Sequence, residues 1–346
     1  MAAARAGDAV VGYDHQRGAL EGAAEASGLL PAGSLEACVE GAMVVFVCTP
    51  IDAIAEAAVS CLAADGAAIV TDVGSVKAKV LGEVEARAKV TSTDGSRFVG
   101  GHPMGGSERT GPEGASASLI EGVAWVLTPA SWSAPQAVAG LEDYVRGIGG
   151  HPVRLSADRH DELVALVSHL PQVVSSALMS LVAGGDSSDP DAIALAATGF
   201  RDVTRLAGSD PDLWTGILQA NREALVGTLD LYVRALVGFR DALSRGQVDD
   251  LREALARAQA ARIELGAKPR IRAGMALVQV PVPDRPGVLA DMTSALGAGG
   301  VNIEDLQIVH SPWEPTGVVH LTVLAERVDA ALDVLVGKGF EAVRVA

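Results

Sequence analysis

The 346-residue sequence predicts an α/β protein in three parts: a doubly wound parallel sheet, an all-α segment and a small βαββαβ unit of ferredoxin-like order. Three observations carry this expectation. Over residues 9–155 short apolar runs alternate with amphipathic stretches. Over residues 156–267 only three- and four-residue spacing is present. After Lys268-Pro269-Arg270-Ile271-Arg272-Ala273-Gly274, which reads as a linker, short strands and helices return. The expected domains are therefore 1–155, 156–270 and 275–346.

In the first part the strand candidates are residues 9–13, 43–48, 67–71, 97–100, 124–128 and 152–155. Their continuous apolar character suits strands covered on both faces. Two of them end in residues suited to chemistry. One runs into Asp72-Val73-Gly74-Ser75-Val76-Lys77, the other into Gly100-Gly101-His102-Pro103-Met104-Gly105-Gly106-Ser107. Glycine lets a backbone approach a ligand, and ligands bind open α/β sheets at the carboxyl edge, so Ser75 and His102 are expected together there. Asp14 closes the first run, where a dinucleotide-binding fold places an acid on the adenosine ribose.

A strand, a Gly-x-Gly-x-x-Gly turn and a helix are expected ahead of such an acid, yet only thirteen residues precede Asp14. The sheet is thus expected to be a Rossmann-type sheet lacking its first strand. A start further upstream is the preferred explanation, and a degenerate copy the alternative.

In the helical part Leu163, Leu166, Val167, Leu170, Val174, Leu178 and Leu181 define one expected buried face, with a kink at His169-Leu170-Pro171 because proline lacks a backbone donor. A loop is expected at residues 185–190. Asp202 and Arg205 stand three apart, as neighbours on a helical face would. Ser209-Asp210-Pro211 signals the start of a long helix through Trp214 to about Arg245. In the tail, strands are expected at 277–282, 302–310, 317–324 and 340–345, with helices at 287–296 and 328–336.

The net charge of −16 disfavours nucleic acid and anionic membrane surfaces as partners. Cys38, Cys48 and Cys61 show no metal or redox spacing, and no run is read as apolar enough to span a membrane, so a cytoplasmic protein is expected.

Asp72-Val73-Gly74-Ser75-Val76-Lys77, Gly101-His102-Pro103-Met104, Ser168-His169-Leu170-Pro171 and Gly199-Phe200-Arg201-Asp202-Val203-Thr204-Arg205, with Ser209-Asp210-Pro211 and Trp214, together resemble the prephenate dehydrogenases. The tail, with Pro283-Asp284-Arg285-Pro286-Gly287-Val288-Leu289 and Val301-Asn302-Ile303, resembles an ACT domain. The resemblance implies NAD-dependent oxidative decarboxylation of prephenate to 4-hydroxyphenylpyruvate in tyrosine biosynthesis, by a homodimer. It implies that His102 takes the hydroxyl proton, that Ser75 orients His102, that Arg205 clamps a carboxylate with Asp202 in support, and that His169 contacts the substrate. It also implies NAD held in part by Asp14, and an amino-acid effector, expected to be tyrosine, at Asp284, Arg285, Gly287 and Asn302. No metal is expected. Arogenate dehydrogenase, or a non-catalytic amino-acid-binding copy, remains the alternative.

Overall fold

The computed structural model describes residues 1–64, 66–105, 115–183, 192–193, 195–266, 274–310 and 316–345. The expected loop at 185–190, most of the linker, Gly106 and Ser107 lie outside them. The residues group into two compact units, Met1–Ala235 and Leu236–Ala346, divided within a single helix.

In the first unit β3 (Val44–Val47), β4 (Ile69–Asp72), β5 (Phe98–Pro103), β6 (Ala124–Thr128) and β7 (His151–Arg154) form one sheet in that order. The expectation of a wholly parallel sheet fails at one place: β5 and β6 are antiparallel, with His102 opposite Val126. The connection between these strands contains no long helix among its described residues, and a parallel pairing needs a crossover. A separate pair, β1 (Val11–Gly12) and β2 (Leu30–Pro31), is parallel. The sequence reading missed β2, whose two residues, one a proline, are too short for a periodic signal.

Helices cover both faces of the larger sheet. Numbered in chain order they begin α1 (Ala2–Arg5), α2 (Arg17–Ser27), α3 (Leu35–Val39), α4 (Ile51–Ala64), α5 (Ala78–Thr91) and α6 (Pro135–Gly147). Ile54, Leu62, Val80, Val84 and Phe98 form the core on one side, and Val99, Leu127, Val138 and Leu141 with α1 on the other. Each fully buried side chain of this kind stabilises the fold by roughly 1.5–3 kcal/mol relative to exposure. That rigid sheet is the platform for its carboxyl edge.

The all-α segment opens with α7 (Ala157–Val164), capped by Ser156, and continues through a π-helical stretch, Ala165–His169, into α8 (Leu170–Ala183). The expected kink thus takes the form of a wide turn ahead of Pro171. By length and composition this continuous helix meets the membrane-span criterion that the sequence reading found nowhere. It nevertheless buries His160, Asp161, His169, Gln172 and Ser175. The stripe expected to be its buried face is turned over in part, because Leu166, Val167 and Leu181 are exposed. Next come α9 (Thr198–Thr204), α10 (Pro211–Ala220), α11 (Arg222–Ser244) and, in the second unit, α12 (Val248–Gly266). The single long helix expected from Trp214 is two helices broken at Asn221, whose side chain is used elsewhere.

The second unit also contains β8 (Met275–Pro283), α13 (Val288–Ala298), β9 (Asp305–His310), β10 (Thr316–Leu324), α14 (Val328–Gly337) and β11 (Val343–Val345). Its antiparallel sheet has the order β11-β8-β10-β9, so the first strand is central, as the ferredoxin-like arrangement requires. Val278, Val280, Met292, Leu296, Leu321 and Leu335 fill its core.

Candidate active site at the carboxyl edge of the sheet

Val70 pairs with Phe98 and Thr71 with Val99, which brings the turn after β4 alongside the end of β5. Asp72, fully buried, organises that junction. Its Oδ1 accepts from the Gly101 N–H at 3.1 Å and its Oδ2 from the Gly74 N–H at 2.9 Å and from the Lys77 ammonium. Lys77, also wholly buried, donates to the Gly101 carbonyl at 2.7 Å. Burial pushes the Lys77 pKa below the usual lysine range, and Asp72 opposes that shift.

The glycine pair ahead of His102 has a different reason from the one the sequence suggested. A Cβ on Gly101 would lie 2.6 Å from the Asp72 carbonyl, and one on Gly100 would strike Thr128 Oγ1. Strand packing, rather than close approach of a ligand, requires glycine at these positions.

His102 is partly buried, and its Nδ1 is 2.8 Å from His160 Nε2. His160 Nδ1 in turn is 2.7 Å from Asp161 Oδ1. Asp161 accepts the Lys77 and Ala78 N–H groups at 2.8 Å each, so its carboxylate seats on the N-terminus of α5. The expected bond from Ser75 to His102 is absent: among the described residues the Ser75 hydroxyl has no hydrogen-bond partner, and His102 Nδ1 is engaged by His160 instead. Ser75 does stand in the turn beside His102, partly exposed. Desolvation, followed by the charges of His160, Lys77 and His169, lowers the His102 pKa to about 3, so the imidazole is neutral near pH 7.

His169 is 1% exposed; its Nδ1 lies 3.1 Å from Asn221 Nδ2, and Trp214 meets its ring edge-on. Asn221 Nδ2 also donates to the Asp161 carbonyl at 2.8 Å, tying α7 to the break between α10 and α11. Desolvation lowers the His169 pKa to about 4. His169 therefore belongs to the same connected network as His102, reached through His160, Asp161 and Asn221.

The expected Asp202–Arg205 pair is not formed. The helix α9 ends at Thr204 and Arg205 opens a 3-10 turn, Arg205–Gly208, so the two no longer share an α-helical face. Both are exposed. That turn is docked on α8 by Gln172 Nε2, which donates to the Leu206 carbonyl at 2.9 Å, and by the Ser175 hydroxyl, which accepts from the Ala207 N–H at 2.9 Å. In the second unit Gly287, φ +91°, caps α13 in a conformation that favours glycine, and Arg285 lies 3.9 Å from Asp291. Asn302 donates to Glu304 at 2.5 Å. A cavity of about 190 Å³ borders the turn from Asp284 to Gly287.

Sequence reasoning missed His160, Asp161 and Asn221. The signal for the first two was present: adjacent ionisable residues four and five positions after a serine cap, ahead of an apolar helix.

Asp14 lies exposed after β1 and accepts the Gln16 N–H at 2.7 Å. That leaves its second oxygen for a ribose hydroxyl, so the residue fits the adenosine end of a dinucleotide. No Gly-x-Gly-x-x-Gly segment occurs in the sequence to cradle a pyrophosphate.

Two family models match the chain, one described as the nucleotide-binding domain of prephenate dehydrogenase over residues 2–154, the other as its dimerization domain over residues 156–257. A prephenate dehydrogenase of Bacillus subtilis is 31% identical over 73% of this chain and 68% of its own length. Among solved structures, prephenate dehydrogenase of Aquifex aeolicus with hydroxyphenyl propionate and NAD+ superposes with a TM-score of 0.69 at 27% identity, covering 76% of this chain and 92% of that one. Synechocystis arogenate dehydrogenase does so with a TM-score of 0.63 at 30% identity, covering 76% and 93%.

Proposed function

Since this chain belongs to the prephenate dehydrogenase family, we propose that it catalyses the NAD-dependent oxidative decarboxylation of prephenate to 4-hydroxyphenylpyruvate, a step of tyrosine biosynthesis. The observation that carries this reading is the neutral His102 at the sheet edge, its Nδ1 engaged by His160. A base held in that way has its other nitrogen free for a substrate hydroxyl.

NAD, when bound, accepts the hydride from the ring carbon that bears the hydroxyl. Asp14 holds its adenosine ribose. His102 Nε2 takes the hydroxyl proton, and the electron pair of the O–H bond closes to a carbonyl on that carbon. The carboxylate bond at the opposite ring carbon then breaks and carbon dioxide leaves; its electron pair passes through the ring, making it aromatic, onto the carbonyl oxygen, which takes a proton back to become the phenol hydroxyl. Ser75 hydrogen-bonds the reacting hydroxyl from the adjacent turn. Arg205 meets a substrate carboxylate from the 3-10 turn docked on α8, with Asp202 at the rim. His169, through Asn221, keeps that docking helix in register with the base. Most of the barrier is lowered by positioning, because aromatisation makes the carbon dioxide step favourable.

The exposed apolar residues of the all-α part, among them Leu166, Val167, Leu181, Leu213, Val226 and Leu231, support a homodimer that covers them. The second unit is read as an ACT domain that binds an aromatic amino acid, tyrosine, at Asp284, Arg285 and Gly287 and at Asn302; the cavity that the first three border supports this, and Asn302 is not among the residues lining it. A cytoplasmic location accords with three free cysteines.

The test is turnover of prephenate and arogenate with NAD and with NADP, followed by formation of reduced nicotinamide. Prephenate with NAD is expected to be the best pair. A higher kcat/KM for arogenate would replace the substrate, and no turnover of either would refute the reading. Tyrosine is expected to bind by calorimetry; absence of heat would remove it as effector.

A further inference from the structure

We propose that His160 and Asp161 are positioning residues that stand behind His102 as a relay, fixing which imidazole nitrogen faces the substrate and compensating the charge it acquires. The inference rests on the reading of His102 as the base. Its argument is the direction of each hydrogen bond. Asp161, a carboxylate that takes the Lys77 and Ala78 N–H groups, can only accept, so the hydrogen between it and His160 sits on His160 Nδ1. With a single ring hydrogen, placed on Nδ1 by Asp161, His160 offers Nε2 as an acceptor. His102 must donate Nδ1–H across the 2.8 Å contact, which leaves Nε2 as a bare lone pair. Without this chain His102 could equally carry its hydrogen on Nε2, where it would block proton uptake.

When the substrate O–H bond breaks and an Nε2–H bond forms, His102 becomes an imidazolium. The groups facing it are His160, His169, Lys77 with its partner Asp72, and Asp161 behind His160. Lys77 opposes the new charge, and Asp161 is the anion reached through an unbroken hydrogen-bonded path. No proton need arrive on Asp161 for this to work; orientation and field suffice. The neighbour expected to serve this purpose, Ser75, makes no such bond.

The experiment uses the full chain labelled with 15N at histidine, with His102→Asn to assign the His102 signals. In the wild type His102 is expected as the Nδ1–H tautomer at neutral pH. In Asp161→Asn the amide nitrogen can donate to His160 Nδ1, which reverses every bond in the chain, so His102 is expected as Nε2–H. The variant's kcat is expected to fall about 100-fold or more with KM changed less than about threefold. Because Asp161 also caps α5, His160→Leu serves as a second variant that leaves the cap in place. It is expected to lose the single tautomer and a similar factor in kcat. An Nε2–H tautomer in the wild type, or a wild-type tautomer and kcat in either folded variant, would overturn the proposal. The spectra need no substrate. Inactivity of the wild type on prephenate and arogenate would therefore refute the reaction while the Nδ1–H signal still decided the relay.

Discussion

Lys77→Met tests the junction on which the site is built. Methionine retains most of the lysine stem, so little volume is lost and the change is chiefly the removal of one charge from a pair with no exposure on either side. Asp72 would keep its two amide donors, from Gly74 and Gly101, but face no cation, and the Gly101 carbonyl would lose its donor at 2.7 Å. Removing one partner of a buried ion pair costs about 3–5 kcal/mol, because the remaining charge is left uncompensated. We expect about 4 kcal/mol, a large share of the 5–15 kcal/mol typical of a domain. Urea unfolding followed by tryptophan fluorescence reports it, since Trp125 packs in the same sheet. The midpoint is expected to drop at unchanged slope. Lys77→Met combined with Asp72→Asn is expected to recover at least half of the loss. A single-variant loss below about 1 kcal/mol, or a double variant no more stable than the single, would refute the argument.

Three further outcomes are expected. His102→Asn should lower kcat by about 10²- to 10⁴-fold while substrate still binds, and a wild-type kcat would exclude His102 as the base. Arg205→Ala should raise KM by a factor on the order of 30, equivalent to about 2 kcal/mol, as a carboxylate loses a charge-assisted bond; unchanged KM for prephenate and arogenate would take Arg205 out of the site. Thermal stability should fall as pH drops from about 6.5 towards about 4. There the unfolded imidazoles bind protons, while His102, lowered to about 3, and His169, lowered to about 4, remain neutral in the fold. Each contributes up to about 1.4 kcal/mol per pH unit across its window. Wild type and His102→Asn with identical pH dependence of Tm would show that His102 contributes nothing to it.

How far the sequence led depended on the range of the interaction. The strands β4 and β6 and the start of β5 were legible because burial leaves a short apolar run, and the βαββαβ tail because its periods change cleanly. The antiparallel turn of β6 was not, since nothing in five apolar residues encodes direction. His102 and Ser75 were placed on the right edge by following strands to their ends, but not their partners. His160 lies 58 positions from His102 and Asp161 lies 84 from Lys77, and contacts of that separation leave no local pattern. The stripe on α7 and α8 misled because the regular three- and four-residue spacing breaks at the π-helical turn Ala165–His169, ahead of the kink expected at His169-Leu170-Pro171.

That π-helical turn sets how the long helix can tolerate change. His160 and His169 are nine positions apart, which in a regular α-helix would place them about half a turn from each other. Here Asn221 reaches the His169 ring and the Asp161 carbonyl with one amide nitrogen, so the turn between them sets how these two groups are presented together. Removing a single residue between Ala165 and His169 would let the backbone relax into an ordinary α-helix, locally the easier geometry. It would also rotate α7 against α8 by about 100°. The helix would persist, while Asp161 left the end of α5 and the turn docked on α8 was displaced relative to α7. Length in this segment is therefore under tighter constraint than composition: exchanges among its small and apolar residues should be absorbed, and a one-residue deletion should not.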